Sequence, residues 1–131
     1  MATIRKFEDL EIWQGARDIC RKVFTYSQKS PFNRDFSLID QMRRSSGSVM
    51  DNIAEGFERE GNKEFIQFLF IAKASAGECR SQCFRAFDNG YISTEEFKEL
   101  IELLQTNSIK IRNFIDYLKQ KNYRGQKYKS R

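Results

Sequence analysis

The sequence predicts an all-α protein, an antiparallel up-down-up-down four-helix bundle with helices over about residues 9–29, 34–58, 62–88 and 93–120. Three observations predict it. Apolar residues recur at three-and-four spacing in four long segments, which gathers them along one side of a helix. A single proline, Pro31, and seven glycines leave those segments nearly uninterrupted, against a many-turned β architecture. The links between segments are roughly four to six residues, short enough to force consecutive helices antiparallel. At 131 residues the chain is one domain's worth.

The first helix carries Leu10, Trp13, Ala16, Cys20, Val23, Phe24 and Ser27 as its apolar stripe. Glu8, Asp9 and Glu11 open it and Arg21, Lys22 and Lys29 close it, which complements the helix dipole; Ser30-Pro31 stops it. The second turns Ile39, Met42, Ser46, Val49, Met50, Ile53 and Phe57 inward. The third starts at Asn62 as N-cap and buries Phe65, Phe68, Leu69, Ala72, Ser75, Ala76, Cys79, Cys83, Ala86 and Phe87. Asn89-Gly90 ends it. In the fourth, Ser93 and Glu96 have capping-box spacing. Phe97, Leu100, Ile101, Leu104, Ile111, Phe114, Ile115 and Leu118 line its inner side.

More apolar surface is present than a four-helix core requires. Ile12, Ile19 and Tyr26 make a second seam on the first helix at seven-residue spacing, and Ile66, Phe70 and Phe84 do the same on the third. Such seams either widen the core or lie exposed. Contact between copies of the chain is the expectation carried forward, because contiguous exposed apolar surface marks a partner.

Charge divides the chain in two. Lys119, Lys121, Arg124, Lys127, Lys129 and Arg131 meet no acid between 119 and 131, which leaves 17 bases against 18 acids in residues 1–118. The reading is a near-neutral bundle domain, 1–118, and a basic C-terminal tail, 119–131. Histidine is absent, so Ser-His and Cys-His nucleophile pairs and every His-containing metal set are excluded. Cys20, Cys79 and Cys83 are odd in number, and Cys79 and Cys83 stack four apart on one helix side, a poor geometry for a disulfide; they read as small core residues in a reducing compartment. The opening MATIRKFEDL has no apolar h-region and no run reaches membrane-spanning length, so no membrane partner is expected and the expected location is cytoplasmic.

One stretch looks like a device: QMRRSSGSVMDNIAEGFERE, residues 41–60. At about 100° per residue, Gln41, Arg44, Ser45, Ser48, Asn52, Glu55 and Arg59 fall on one polar side opposite the core stripe, with Gly47 and Ala54 on the flank. Small side chains there permit close approach of another backbone. Asp51, Glu55 and Glu58 recur at i, i+4 and i+7. They make a solvated acidic side, or an interface where a neighbouring copy's base answers them; a divalent-metal site would need a second set of acids that the sequence lacks, so no metal and no cofactor is expected.

This stretch resembles the 23S rRNA-intervening-sequence protein family of bacterial four-helix bundles. The matching elements are Gln41 with Arg43-Arg44, Ser48-Val49, Asn52-Ile53-Ala54-Glu55-Gly56, Lys63-Glu64-Phe65, Ala72 with Ser75 and Glu78, and Gly90-Tyr91-Ile92. Phe7 to Trp13, FEDLEIW, fits the family's start. Ser45 and Ser46 stand where the family more often has alanine, and Cys79 and Cys83 where leucines are usual. More distantly the chain is similar to the accessory variability determinant of diversity-generating retroelements, a basic pentamer that works with a reverse transcriptase and nucleic acid. The resemblance implies a ring-like homopentamer without catalytic activity.

The function expected is therefore a non-catalytic homo-oligomer that binds RNA or other nucleic acid. Arg43, Arg44, Lys119, Lys121, Tyr123, Arg124, Lys127, Tyr128, Lys129 and Arg131 are the candidate contacts, bases for phosphates and tyrosines for stacking. One bundle end would collect Arg21, Lys22, Lys29, Arg34, Arg43, Arg44, Arg80 and Arg85, partly offset by Glu95, Glu96, Glu99 and Glu102. Ile12, Ile19, Tyr26, Arg44, Ser45, Ser48, Asn52, Glu55, Ile66 and Phe70 are the candidate contacts between copies. The alternative is a scaffold for a partner enzyme such as a reverse transcriptase. An enzyme built from Cys, Lys and carboxylates would need acids converging from two helices, and only one cluster is present.

Overall fold

A computed structural model describes residues 4–121. Among these residues four helices form: α1 (Glu11–Tyr26), α2 (Phe36–Glu58), α3 (Asn62–Asp88) and α4 (Thr94–Lys119), with 3-10 turns at Phe7–Asp9 and Phe32–Arg34. Each helix packs on its neighbours in the chain, and α1 against α4 closes the bundle. The α2–α3 contact is the most extensive. Its direction is written in side-chain pairs: Arg85 bonds Gln41, Gln82 bonds Ser45 and Ser75 bonds Ser48. One number rises as the other falls, so the helices are antiparallel.

The helix ends follow local chemistry. Ser93 Oγ accepts from Glu96 N at 3.0 Å while Glu96 Oε1 accepts from Ser93 N at 2.9 Å, a complete capping box. Gly90, at φ +74°, takes the left-handed conformation that closes α3. At the start of α2, Asp35 caps Leu38 N at 3.1 Å and accepts a second bond from Tyr91 at 3.0 Å. That second bond ties the start of α2 to the α3–α4 link. The expected cap at Asn62 is corrected: Gly61 precedes the first helical residue, and Asn62 turns its amide to Leu118 O and Lys121 O. Asn62 therefore holds the end of α4 rather than the start of α3. The first link is nine residues rather than four to six, because α1 stops at Tyr26 and the Phe32–Arg34 turn follows.

The core is continuous from end to end. At one end Phe65 meets Phe57 and Phe114 edge-on, with centroids at 6.0 and 5.5 Å. At the other, Phe32 stacks on Tyr91 at 5.1 Å and Phe87 on Phe97 at 4.5 Å. Burying a side chain such as Phe57 or Phe65 completely contributes about 1.5–3 kcal/mol. The stripes expected on α2 and α3 form most of the core, with Leu38, Ser45, Gly56 and Gln82 added; Met50 and Phe87 are only partly buried against it, and Phe68, expected inside, lies under the Arg59 guanidinium instead.

On α1 the inward direction is rotated. Its buried residues are Ile12, Ala16, Ile19 and Val23, while Phe24 is half exposed. The reason lies opposite, on α4. Asn107 is buried and donates to Ile12 O at 3.2 Å, and a Cβ on Gly15 would stand 2.6 Å from Asn107 Oδ1. Gly15 makes room for that side chain, and the contact draws the Ile12–Ile19 side of α1 against α4.

Candidate functional site

The polar side of α2 faces α3. Ser45 is buried and donates to Gln82 Oε1 at 2.6 Å; Ser48 and Ser75 share a hydrogen bond at 2.8 Å. Asn52 donates to Ser48 O and Oγ at 2.8 and 2.9 Å. These residues do not lie opposite the core stripe, as expected from the sequence, but on its flank. The buried Ser45 cannot meet another copy while the bundle is closed. Above them runs an open groove of about 290 Å³ lined by Gln41, Arg44, Ser45, Ser48, Glu78 and Gln82.

Close approach, expected between copies, occurs inside the chain at Gly56. A Cβ there would stand 2.7 Å from Phe68 Cβ and 2.8 Å from Phe65 Cδ1. Gly56 is the glycine of the Asn-Ile-Ala-Glu-Gly run, and it lets α2 and α3 touch. Gly47, by contrast, has open space where its Cβ would be.

The seam on α1 also needs correction. Ile12 is 4% exposed and Ile19 1%, so both are spent within the bundle and offer nothing to a partner. Tyr26 is partly buried against it and donates to Glu99. The α3 seam remains at the surface: Phe70 and Phe84 are 46% and 49% exposed, beside the partly buried Ile66. Glu55 is exposed and pairs with Arg59 at 2.9 Å.

The basic candidates separate. Arg43 lies beside α1, its guanidinium 4.9 Å from the Phe24 ring and 3.4 Å from Ser27 Oγ. Arg44 makes a solvated pair with Asp40 at 3.4 Å. Lys119 sits 5.5 Å over Phe70, and Lys121 5.6 Å over Tyr117. On α3, Phe70 lies 15 residues before Arg85, the residue that bonds Gln41. At about 1.5 Å rise per residue, roughly 20 Å of helix parts the two groups. Tyr123, Arg124, Lys127, Tyr128, Lys129 and Arg131 lie outside the described residues.

At the Arg43 end, the expected offset by acids is specific. Lys22 meets Glu99 at 3.4 Å and Lys29 meets Glu96 at 2.6 Å. The Tyr26 hydrogen bond, and then Lys22, hold the Glu99 carboxyl below its ordinary value. Partial burial works to raise Glu96, but Lys29 and the Ser93 cap hold it below as well. Burial, then the Glu99 contact, pushes the Tyr26 phenol up.

The three cysteines differ in their surroundings. Burial raises the Cys20 thiol, and a shared hydrogen bond with Cys79 followed by burial raises Cys83. Neither is a ready thiolate at neutral pH, while the contact with Cys83 lowers the buried Cys79 thiol. Among the described residues no group of three Cys, Asp or Glu side chains is placed to hold a metal ion, and no helix is long and apolar enough to cross a membrane.

Sequence reasoning missed Gln82 and Asn107, and gave Glu78 only as a matching element of the resemblance. The signal for Gln82 was its place seven residues after Ser75, two polar groups along one core edge. Asn107 interrupts the Leu104–Ile111 repeat at the position where a core residue belongs.

A protein of unknown function from the S23 ribosomal protein family of Bacteroides thetaiotaomicron VPI-5482, known as a crystal structure, shares this fold with a TM-score of 0.73 at 21% identity. The likeness covers 79% of this chain and 97% of that one. No match to a curated protein reaches significance. Residues 8–113 match the model of the 23S rRNA-intervening sequence protein, from the first 3-10 turn to within two turns of the end of α4. With that span running through all four helices and the Gly56 contact, the chain belongs to the 23S rRNA-intervening sequence protein family.

Proposed function

We propose that this protein is a non-catalytic homo-oligomer, a pentamer as its sequence resemblance implies, that binds RNA through basic surfaces. One observation carries the reading. Cations seat themselves on aromatic rings around the outside of the bundle: Arg17 on Trp13 at 5.7 Å and Arg43 on Phe24 at 4.9 Å. Such pairs offer a charge for phosphate and a ring for an unstacked base. Repetition around a ring would add multivalency to weak single contacts.

Fluorescence anisotropy of a labelled single-stranded RNA across a salt series tests this. Log affinity is expected to fall linearly with log salt, by about 0.7 per phosphate neutralised. Removal of residues 119–131 and the double change Arg43→Ala, Arg44→Ala are each expected to flatten the slope. Affinity absent at low salt would overturn the proposal. The second reading, a scaffold for a partner enzyme, draws on how many cations are already paired, Lys22, Lys29, Arg59 and Lys110 among them. Partner capture that survives loss of the tail would favour it.

A further inference from the structure

The groove between α2 and α3 is a bounded niche. Arg85 Nη1 donates to Gln41 Oε1 at 2.9 Å and bridges the helices at one end. Ser48 and Ser75, joined at 2.8 Å with Asn52 behind them, bridge the helices at the other. Between the bridges the floor is the Ser45–Gln82 hydrogen bond at 2.6 Å. Gln82 is 5% exposed, yet only its carbonyl oxygen is satisfied by that bond. Among the described residues its amide nitrogen has no hydrogen-bond partner, and Gln82 is one of the residues that line the groove.

The two walls carry opposite charge. Arg44 stands on α2; its pair with Asp40 is 81% and 68% exposed, a weak solvated contact that leaves several of the five guanidinium donors free. Glu78 stands on α3, exposed and with no ion pair among the described residues. The groove therefore presents donors from Arg44 and Gln82 and an acceptor from Glu78 within a volume of about 290 Å³. That lies just under the usual range for ligand sites, about 300–1,000 Å³, and suits only a small molecule.

We infer that this niche binds a small zwitterion of the α-amino-acid kind. The ligand carboxylate accepts from Arg44 and from the Gln82 amide, and its ammonium faces Glu78. A lone anion would leave Glu78 unanswered and be repelled by it; a lone cation would leave the Gln82 donor open. A molecule carrying both charges answers all three groups. This site does not depend on RNA binding.

The test is titration of the full chain with L-alanine, followed by the amide NMR signals of α2 and α3. N-acetyl-alanine and alanine amide, each lacking one charge, are the controls. L-Alanine is expected to shift signals around Ser45, Ser48, Glu78 and Gln82 at millimolar concentration, with both controls much weaker. Glu78→Gln, at an exposed position, is expected to weaken L-alanine about tenfold, the order lost with one charge-assisted hydrogen bond. Gln82→Leu is expected to abolish the shifts; since it removes a buried partner of Ser45, its fold is verified by circular dichroism. Absence of shifts, or N-acetyl-alanine binding as well as L-alanine, would overturn the inference. So would a change in molecular mass caused by Glu78→Gln, which would make the groove a contact between copies.

Discussion

At the scale of single residues, two glycines nine positions apart on α2 do opposite things. Alanine normally gains about 1 kcal/mol over glycine inside a helix. At Gly47 the added Cβ meets nothing within 4 Å, so Gly47→Ala is expected to stabilise the protein by about 0.5–1 kcal/mol. At Gly56 the Cβ would be forced to within 2.7 Å of Phe68 Cβ and 2.8 Å of a fully buried Phe65 ring. Overpacking of that kind costs about 1–3 kcal/mol and outweighs the propensity gain, so Gly56→Ala is expected to destabilise. Urea unfolding midpoints check both signs. The sequence shows both glycines alike. Which one touches a neighbouring helix depends on the rotation of α2 about its axis, set by how Phe57, Phe65 and Ile53 fill the core together. The same applies to Gly15 and Asn107: an asparagine among leucines is visible in the sequence, but its partner, the Ile12 carbonyl, is 95 residues away.

At the scale of elements, helix ends were legible where the capping chemistry is local but not at Asn62 or the end of α1, and helix faces only partly so. Ser93 and Glu96 cap α4 as their spacing predicts, because a capping box is local. Ser93→Ala is expected to cost about 1 kcal/mol, read as a lower thermal midpoint. The first stripe was half right: Leu10, Ala16, Val23 and Ser27 are buried as expected, but Ile12 and Ile19 are buried rather than Cys20 and Phe24, because two interleaved apolar series, one through Ala16 and Cys20 and one through Ile12 and Ile19, fit helical spacing equally well. Only α4 decides between them. The α1–α4 contact carries its own pH signature. Glu99 is held below its ordinary value, 4.5, by Tyr26 and Lys22, and repelled by the neighbouring Glu96. A carboxylate depressed in the folded state contributes stability above the unfolded value and loses it as pH falls through the folded one. The thermal midpoint of Glu99→Gln is thus expected below that of the parent at neutral pH, with the gap closing once pH falls below 4.5.

At the scale of the whole molecule, the bundle sorts its apolar surface between inside and outside. Ile12 and Ile19 are consumed internally, so association between copies, as proposed, cannot use that seam of α1 without opening the fold. What remains outside includes Phe24, Phe36 and Ile109 on the other helices, but on α3 it forms a strip, where Phe70, Gly77 and Phe84 follow one another at seven-residue steps and so share one side of the helix. The rings stand half exposed at either end of the strip, and the middle position is bare. A strip of large, none, large is a shape that another helix can enter. The groove on the opposite edge of α3 is polar and stays clear of it. Gly77→Lys separates the packing of the bundle from the packing of copies, because nothing lies within 4 Å of the position a Cβ would take. The substitution is expected to leave helical content and thermal unfolding of the bundle intact while filling the strip with a charged side chain. Light scattering is then expected to give an oligomer for the parent and a monomer for the variant at equal concentration. If the variant keeps the parent's mass, the α3 strip is not where copies meet, and the surviving surface candidates Arg44 and Glu55 on α2 become the place to look.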